Sequence, residues 1–356
     1  MQVWAPRVSS RLGSRLRLSL WIAFVAALLC RPALADDVRV LLEGASTEKL
    51  PFLKTYVTLV ESDGKPIRSK SGYKLFLDSV EQKDLQTTYT PVTEAKEPID
   101  LIAVVQLSSV MEPAIKGVHS GLEKLAKAIL KHHAESRMAI IGFATEVKRL
   151  EDFGHPNAIA RDLDKLAVEA DATESRLVDA LRVAIDLARE KPERRRRIVL
   201  FSDGIDTAAG KDAFTEVARR AREAGAVIDS IGFTQFEAGR LRSLIDISKT
   251  TAGTARRCKT AEEIPARFAE VSDTLFSAGI VTFGLTQSGD NAMHAVQVAF
   301  RKGSEDTQSE PLQVQLAPFE PAETAGRGWQ FWVLVVVGSL FGLLVLLYIL
   351  GRILEK

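Results

Sequence analysis

Leu101-Ile102-Ala103-Val104-Val105 and Ile198-Val199-Leu200-Phe201 decide the architecture of this chain. Each is a continuous apolar run without polar alternation, the pattern of a strand buried on both faces. Between and after them the hydrophobic period lengthens to that of a helix. Ile115, Val118, Leu122, Leu125 and Ile129 recur at helical spacing, as do Leu177, Leu181, Ile185 and Ala188. Phe214, Val217, Ala218 and Ala221 repeat the pattern, and Ile264, Phe268, Val271 and Leu275 close it. Residues 138–143 and 226–233 read as further strands, 147–153 as an edge strand, 241–248 as a helix and 254–257 as a short strand. Strands alternating with helices predict an α/β domain over residues 98–277, with a doubly wound, mostly parallel sheet covered on both faces.

The flanks have a different period. Residues 36–97 carry short β-like runs: Val38-Arg39-Val40-Leu41, 55–60 before the Ser62-Asp63-Gly64 turn, Tyr73-Lys74-Leu75-Phe76-Leu77, and 87–92. Residues 278–318 return to this pattern at 280–285, 295–300 and 312–316, with Gly289-Asp290-Asn291 as a turn. Neither piece is long enough to bury a core alone. The economical arrangement is one small β-sandwich built from both, with the α/β domain inserted between them.

The two ends read as membrane-addressing segments. Residues 1–35 have a basic start (Arg7, Arg11, Arg15, Arg17), an apolar stretch from Leu18 to Cys30 and an Ala33-Leu34-Ala35 cleavage site. This is the three-part form of a signal peptide, with an uncleaved anchor as the alternative. After a linker at 319–330, residues 331–350, from Phe331 to Leu350, contain no charge. Twenty residues of helix reach about 30 Å, the thickness of the hydrocarbon core. Trp329, Trp332 and Tyr348 flank the span, and Arg352 and Lys356 mark residues 351–356 as a cytoplasmic tail. The expected topology is single-pass, type I, with the bulk of the chain extracytoplasmic. Gly338 and Gly342 form a GxxxG that suits a helix pair, hence a homodimer.

The 356 residues carry a net charge of +1, with 46% hydrophobic and 26% charged residues. These values exclude a wholly disordered chain and a polytopic transporter, and they argue against a nucleic-acid partner. Without the five arginines of residues 1–35 the balance is 42 basic against 46 acidic residues, mildly acidic. Two cysteines rule out a disulfide scaffold. The scarcity of disulfide partners suits a bacterial envelope, and the inner membrane with a periplasmic ectodomain is the expected location. Cys258, the cysteine outside the signal-like segment, is expected to be buried and inert, with a dimer-crosslinking thiol as the alternative.

In a doubly wound sheet, ligands bind beyond the carboxyl ends of the strands. There lie Gln106-Leu107-Ser108-Ser109-Val110, then Ser175-Arg176-Leu177-Val178-Asp179-Ala180-Leu181, then Ser202-Asp203-Gly204-Ile205-Asp206-Thr207. These runs and the order of elements resemble a von Willebrand factor A-type domain over about residues 98–277. The resemblance implies a metal-ion-dependent adhesion site built from an Asp-x-Ser-x-Ser loop, a Thr and an Asp. It also implies a Mg²⁺ that takes its last ligand from a partner protein's carboxylate. Ser108, Ser175 and Asp203 match that pattern, Ser175 in place of Thr. Gln106 stands where the family has Asp, and Val110 where it has the second Ser.

Mg²⁺ demands oxygen ligands in near-octahedral geometry, and a neutral amide attracts it far less than a carboxylate does. The expectation is therefore a vestigial site: Ser108 and Ser175 hydrogen-bonded within their loops, Asp203 capping the next helix, Val110 crowding the ion position, and no cofactor. A protein partner bound without metal is the preferred function. A metal-dependent adhesin-like receptor is the first alternative and an enzyme the second. Ser108 or Ser109 would need a nearby histidine to act as a nucleophile, and only His155 falls in a suitable loop. His132-His133 reads as a helix end, and the basic run Arg194 to Arg197 as a solvated turn.

Overall fold

The computed structural model describes residues 38–190, 194–210, 212–234 and 238–321. Residues 1–35 and the apolar span 331–350, with Gly338 and Gly342, lie outside the described residues. Among the described residues, no helix is long and apolar enough to cross a membrane.

The chain begins with β1 (Arg39–Ser46), β2 (Phe52–Val60), β3 (Pro66–Ile67), β4 (Tyr73–Leu77), β5 (Val80–Gln82) and β6 (Gln86–Pro91). A single helical turn at Val92–Ala95 leads into β7 (Ile99–Gln106). Then come α1 (Ile115–His132), β8 (Arg137–Phe143), β9 (Val147–Gly154), α2 (Pro156–Arg161), α3 (Leu177–Ala188), β10 (Arg195–Ser202), α4 (Ala213–Glu223) and β11 (Ala226–Phe233). The α/β part ends with α5 (Arg242–Thr250), β12 (Ala255–Cys258) and α6 (Ile264–Ser277). Four strands complete the chain: β13 (Gly279–Gly284), β14 (Met293–Lys302), β15 (Glu305–Gln308) and β16 (Leu312–Gln315).

The central sheet has the order β12-β11-β10-β7-β8-β9. Its pairings are parallel except β8 with β9, which closes one edge in antiparallel fashion. All eight residues of β7 are buried, as its unbroken apolar run requires. One face packs on α1, α2 and α6 through Val118, Leu122, Leu125, Ile159, Phe268 and Leu275. The other packs on α3, α4 and α5 through Leu181, Ile185, Val217, Leu244 and Ile247. Cys258, on the edge strand, is fully buried, and burial pushes its thiol up to about 12.

The two flanking β pieces pair directly with each other. β13 lies between β2 and β6, with Gly279 opposite both Val57 and Pro91. β14 pairs with β4. The resulting sheets, β1-β2-β13-β6 and β15-β14-β4-β5, enclose a common core of Leu42, Leu53, Leu75, Val281, Phe283, Val296 and Val298. The α/β part thus leaves the sandwich after β6 and re-enters beside it at β13. Several short elements escape the periodicity of the sequence: β3, β5, α2, the turn at Val92–Ala95, and β15, whose Glu-Asp-Thr-Gln has no apolar face.

Two features hold the parts together. The first is a close helix approach. In α1, a Cβ at Gly117 would lie 2.8 Å from the Ala261 carbonyl oxygen, and one at Gly121 would overlap the Phe268 ring. These glycines let α6 seat directly on the backbone of α1.

The second is a buried charge network. Arg195 and Arg197 are 6% and 0% exposed, so the basic run is not the solvated turn its composition suggested. Arg195 donates through Nη2 to Glu43 Oε2 at 2.6 Å and through Nη1 to the Leu275 carbonyl at 2.9 Å. Arg197 lies 3.1 Å from Glu43 Oε1 and donates through Nε to Asp229 Oδ2 at 2.6 Å. Asp229 Oδ1 accepts from the backbone and hydroxyl of Thr254, and Glu43 Oε1 from Thr58 Oγ1. Burial pushes the Glu43 carboxyl up, but Arg195, Arg197 and Thr58 together outweigh it and hold the group at about 2. Arg222 of α4 adds a second tie, donating to the carbonyls of Leu42, Glu310 and Pro311.

Removing one member of a buried ion pair costs about 3–5 kcal/mol, because the partner charge stays buried. Glu43→Gln is therefore expected to lower unfolding stability by about that amount in urea titration. Glu43 is stabilising when ionised, so its contribution is complete above its unfolded value of 4.5 and is lost as pH falls towards about 2. Wild type should lose stability through that window and Glu43→Gln should lose less. Gly121→Ala should also destabilise, by about 1–3 kcal/mol from overpacking, although alanine is the better helix former. An unchanged or raised Tm would show that α6 is not seated on this glycine.

Candidate functional site

The site is set by where β7 and β10 end. These neighbours run parallel and finish on the same edge of the sheet, so Gln106 and Ser202 emerge side by side. Gln106 is 1% exposed and ties the two loops together. Its Oε1 accepts from Ser202 Oγ at 2.7 Å and from the Asp203 backbone N–H at 3.0 Å. Its Nε2 donates to Ser108 Oγ at 2.7 Å. A backbone N–H can only donate, so the acceptor on that side is the amide oxygen and the NH₂ faces Ser108.

The third loop is shaped by Gly204, whose φ of +83° suits glycine. A Cβ there would lie 2.5 Å from the Arg240 carbonyl oxygen. Asp203 Oδ1 accepts from the Ile205 N–H at 3.0 Å. Asp203 thus closes a turn and does not cap a helix, contrary to the expectation from its position. The capping is done by Asp206, whose Oδ2 accepts from Val178 N–H at 2.7 Å in the first turn of α3. Its Oδ1 takes the N–H groups of Ala208 and Ala209. An Asp three positions beyond Asp203 was visible in the sequence, but its partner 28 residues upstream was not.

The second loop is bound to the third through backbone and hydroxyl. Ser175 N–H donates to Thr207 Oγ1 at 3.0 Å, and Thr207 N–H to the Ser175 carbonyl at 2.9 Å. The Ser175 hydroxyl itself is buried, with no hydrogen-bond partner. This departs from the expectation that it bonds within its loop. Ser109 Oγ donates to the Ala172 carbonyl at 3.2 Å. Val110 is 56% exposed, on the loop surface rather than crowding its centre.

Asp203 is half-buried, and burial raises its pKa, against lowering by the Ile205 N–H, the Gln106 side chain and the Arg240 charge. The Gln106 amide thus lies between Ser108, which its nitrogen serves, and Asp203, whose N–H its oxygen holds, the two residues a cation would bridge. The residues present do not fit Mg²⁺. The amide offers hydrogens where the ion needs oxygen, and turning it over would set NH₂ against the Asp203 N–H. Among the described residues, no group of three His, Cys, Asp or Glu side chains is placed to hold a metal. Neither Ser108 nor Ser109 has a histidine among its hydrogen-bond partners, and His155 instead opens α2.

Residues 101–205 match the family of von Willebrand factor type A domains, and this chain carries such a domain. No curated protein matches the chain in sequence. Solved structures similar to it include proximal thread matrix protein 1 of the mussel byssus, at 14% identity and a TM-score of 0.44, over 50% of this chain and 48% of that one. The chain thus spans about half the length of the mussel protein. BatB from Bacteroides thetaiotaomicron is similar at 14% identity and a TM-score of 0.40, over 50% of this chain and 98% of that one. The vWF domain of the type V pili tip protein Mfa5 from Porphyromonas gingivalis is similar at 12% identity and 0.43, over 50% and 95%.

Replacing Gln106 by leucine leaves Ser202 Oγ and the Asp203 N–H without their acceptor. Each buried unsatisfied group costs about 1–3 kcal/mol. Gln106→Leu should destabilise by at least about that much in urea unfolding. Equal stability would show that the amide does not join the loops.

Proposed function

We propose that this chain is a membrane-anchored protein-binding module, whose A-type domain engages a protein partner through its strand-end face without a divalent cation. The observation that carries this reading is the Gln106 amide between Ser108, Ser202 and Asp203. It joins the first and third loops with hydrogen bonds, so the face is preorganised with no ion to bind or lose. Ser108, Ser175 and Asp203 are then the vestige of a metal site rather than a working one. Catalysis is disfavoured because Ser108 and Ser109 are engaged with Gln106 and Ala172.

The setting proposed is the bacterial inner membrane. Residues 1–35 direct export, residues 331–350 span the bilayer once and residues 36–330 face the periplasm, for binding or envelope assembly. Two copies pair through Gly338 and Gly342.

Two measurements test the reading. Calorimetric titration of the full chain with Mg²⁺ and Mn²⁺ should give no saturable heat. Saturable binding abolished by Asp203→Ala would defeat metal independence. Crosslinking in the native membrane should capture the same protein with and without EDTA, and capture should fail in Val110→Glu. Capture that EDTA abolishes would favour the adhesin-like alternative.

A further inference from the structure

The strand-end face carries an electrostatic sign that follows from its hydrogen bonds. Asp203 is a carboxylate held partly out of water, and no full positive charge takes the place of the Gln106 amide beside it. Oδ1 accepts the Ile205 N–H. A carboxylate has about four lone-pair sites, so acceptor capacity is left over. Arg240 acts on Asp203 from the neighbouring segment, but burial outweighs it.

The acid of the same loop is already used: Asp206 spends both oxygens on Val178, Ala208 and Ala209. Of the two acids in this loop Asp203 keeps the larger capacity for an external donor, accepting one hydrogen bond against three. A second observation points the same way. Ser175, on the loop tied to residue 207, keeps a hydroxyl that is 3% exposed with neither donor nor acceptor role filled. Buried polar groups are normally satisfied, and one that is not leaves room for a further donor or acceptor at this place. Val110 adds an apolar contact at 56% exposure on the adjoining loop.

We propose that this face takes a basic protein segment, a lysine or arginine seated on Asp203 with an apolar neighbour on Val110. The inference rests on the reading of the strand-end face as the binding surface. It assigns the partner a charge opposite to the carboxylate that a metal-loaded site would attract. An acidic segment would instead bring a second negative charge to Asp203, and like charges brought together in a partly desolvated site disfavour binding.

The test is selection of a displayed random heptapeptide library on the full-length protein at physiological salt. Selected peptides should be enriched in Lys or Arg next to an apolar residue. Their binding should weaken about tenfold or more in Asp203→Asn, the loss of one charge-assisted hydrogen bond. Asparagine keeps the oxygen that accepts from Ile205, so this variant should fold, which its Tm verifies. Asp171→Asn removes an exposed acid near the first loop and should leave binding unchanged. Peptides lost in Val110→Glu but rich in Asp or Glu, or indifferent to Asp203→Asn, overturn the basic-partner inference while leaving the binding face intact. Peptides that bind Val110→Glu and Asp203→Asn as well as wild type sit elsewhere, and then both readings fall. Recovery of no Lys- or Arg-bearing peptide also overturns the inference.

Discussion

Four charged side chains out of water constrain everything else in this molecule. Glu43, Arg195, Arg197 and Asp229 sum to zero charge and are each buried. Taking such groups from water costs several kcal/mol each, offset only if every charge finds a well-placed opposite. Here the opposites come from distant segments: Glu43 from the first strand, the arginines from β10, Asp229 from β11, with Thr58 and Thr254 filling the remaining acceptors. The four charges neutralise one another in this arrangement of sandwich and α/β sheet, although two guanidinium nitrogens of Arg197 lack a hydrogen-bond acceptor. The network is a specificity device as much as a source of stability.

That arrangement determines which edge of the central sheet is open. Arg195 opens β10 and pairs in register with Ile99, the first residue of β7. The sandwich therefore docks at the amino ends of the strands, where Arg222 also reaches the Leu42 and Glu310 carbonyls. Seven steps of about 3.3 Å carry β10 some 23 Å from Arg195 to Ser202. The loops holding Gln106, Ser175 and Asp203 emerge at that far end. Tethering at one edge and presentation at the other follow from a single packing decision.

The α/β elements were legible because their signals are local. Unbroken apolar strands and 3.6-residue stripes place β7, β8, β10 and β11 and helices α1, α3 and α4 within a few residues, while the short α2 carries no such stripe. The candidate site was legible as a set of loops, since parallel strands must end together. Its wiring was not. Gln106 is read from sequence as a lost ligand, whereas in the structure its amide is the joint that holds Ser108, Ser202 and Asp203. Asp203 was expected to cap the helix that follows it and instead closes a turn, while Asp206 reaches back to the first turn of α3. The polarity of an amide and the partner of a carboxylate depend on groups 28 to 97 residues away, which no local pattern encodes.

By itself the sequence determined the periods: where strands are buried on both faces, where helices cover them, and which residues stand at the strand ends. Those follow from how often an apolar side chain recurs. Tertiary structure decided what no period carries. It paired β13 with β2 and β6 across the inserted domain, turned a basic run into a buried network, and left the Ser175 hydroxyl buried without a hydrogen-bond partner. Pairing, charge burial and hydrogen-bond direction are properties of groups brought together by folding.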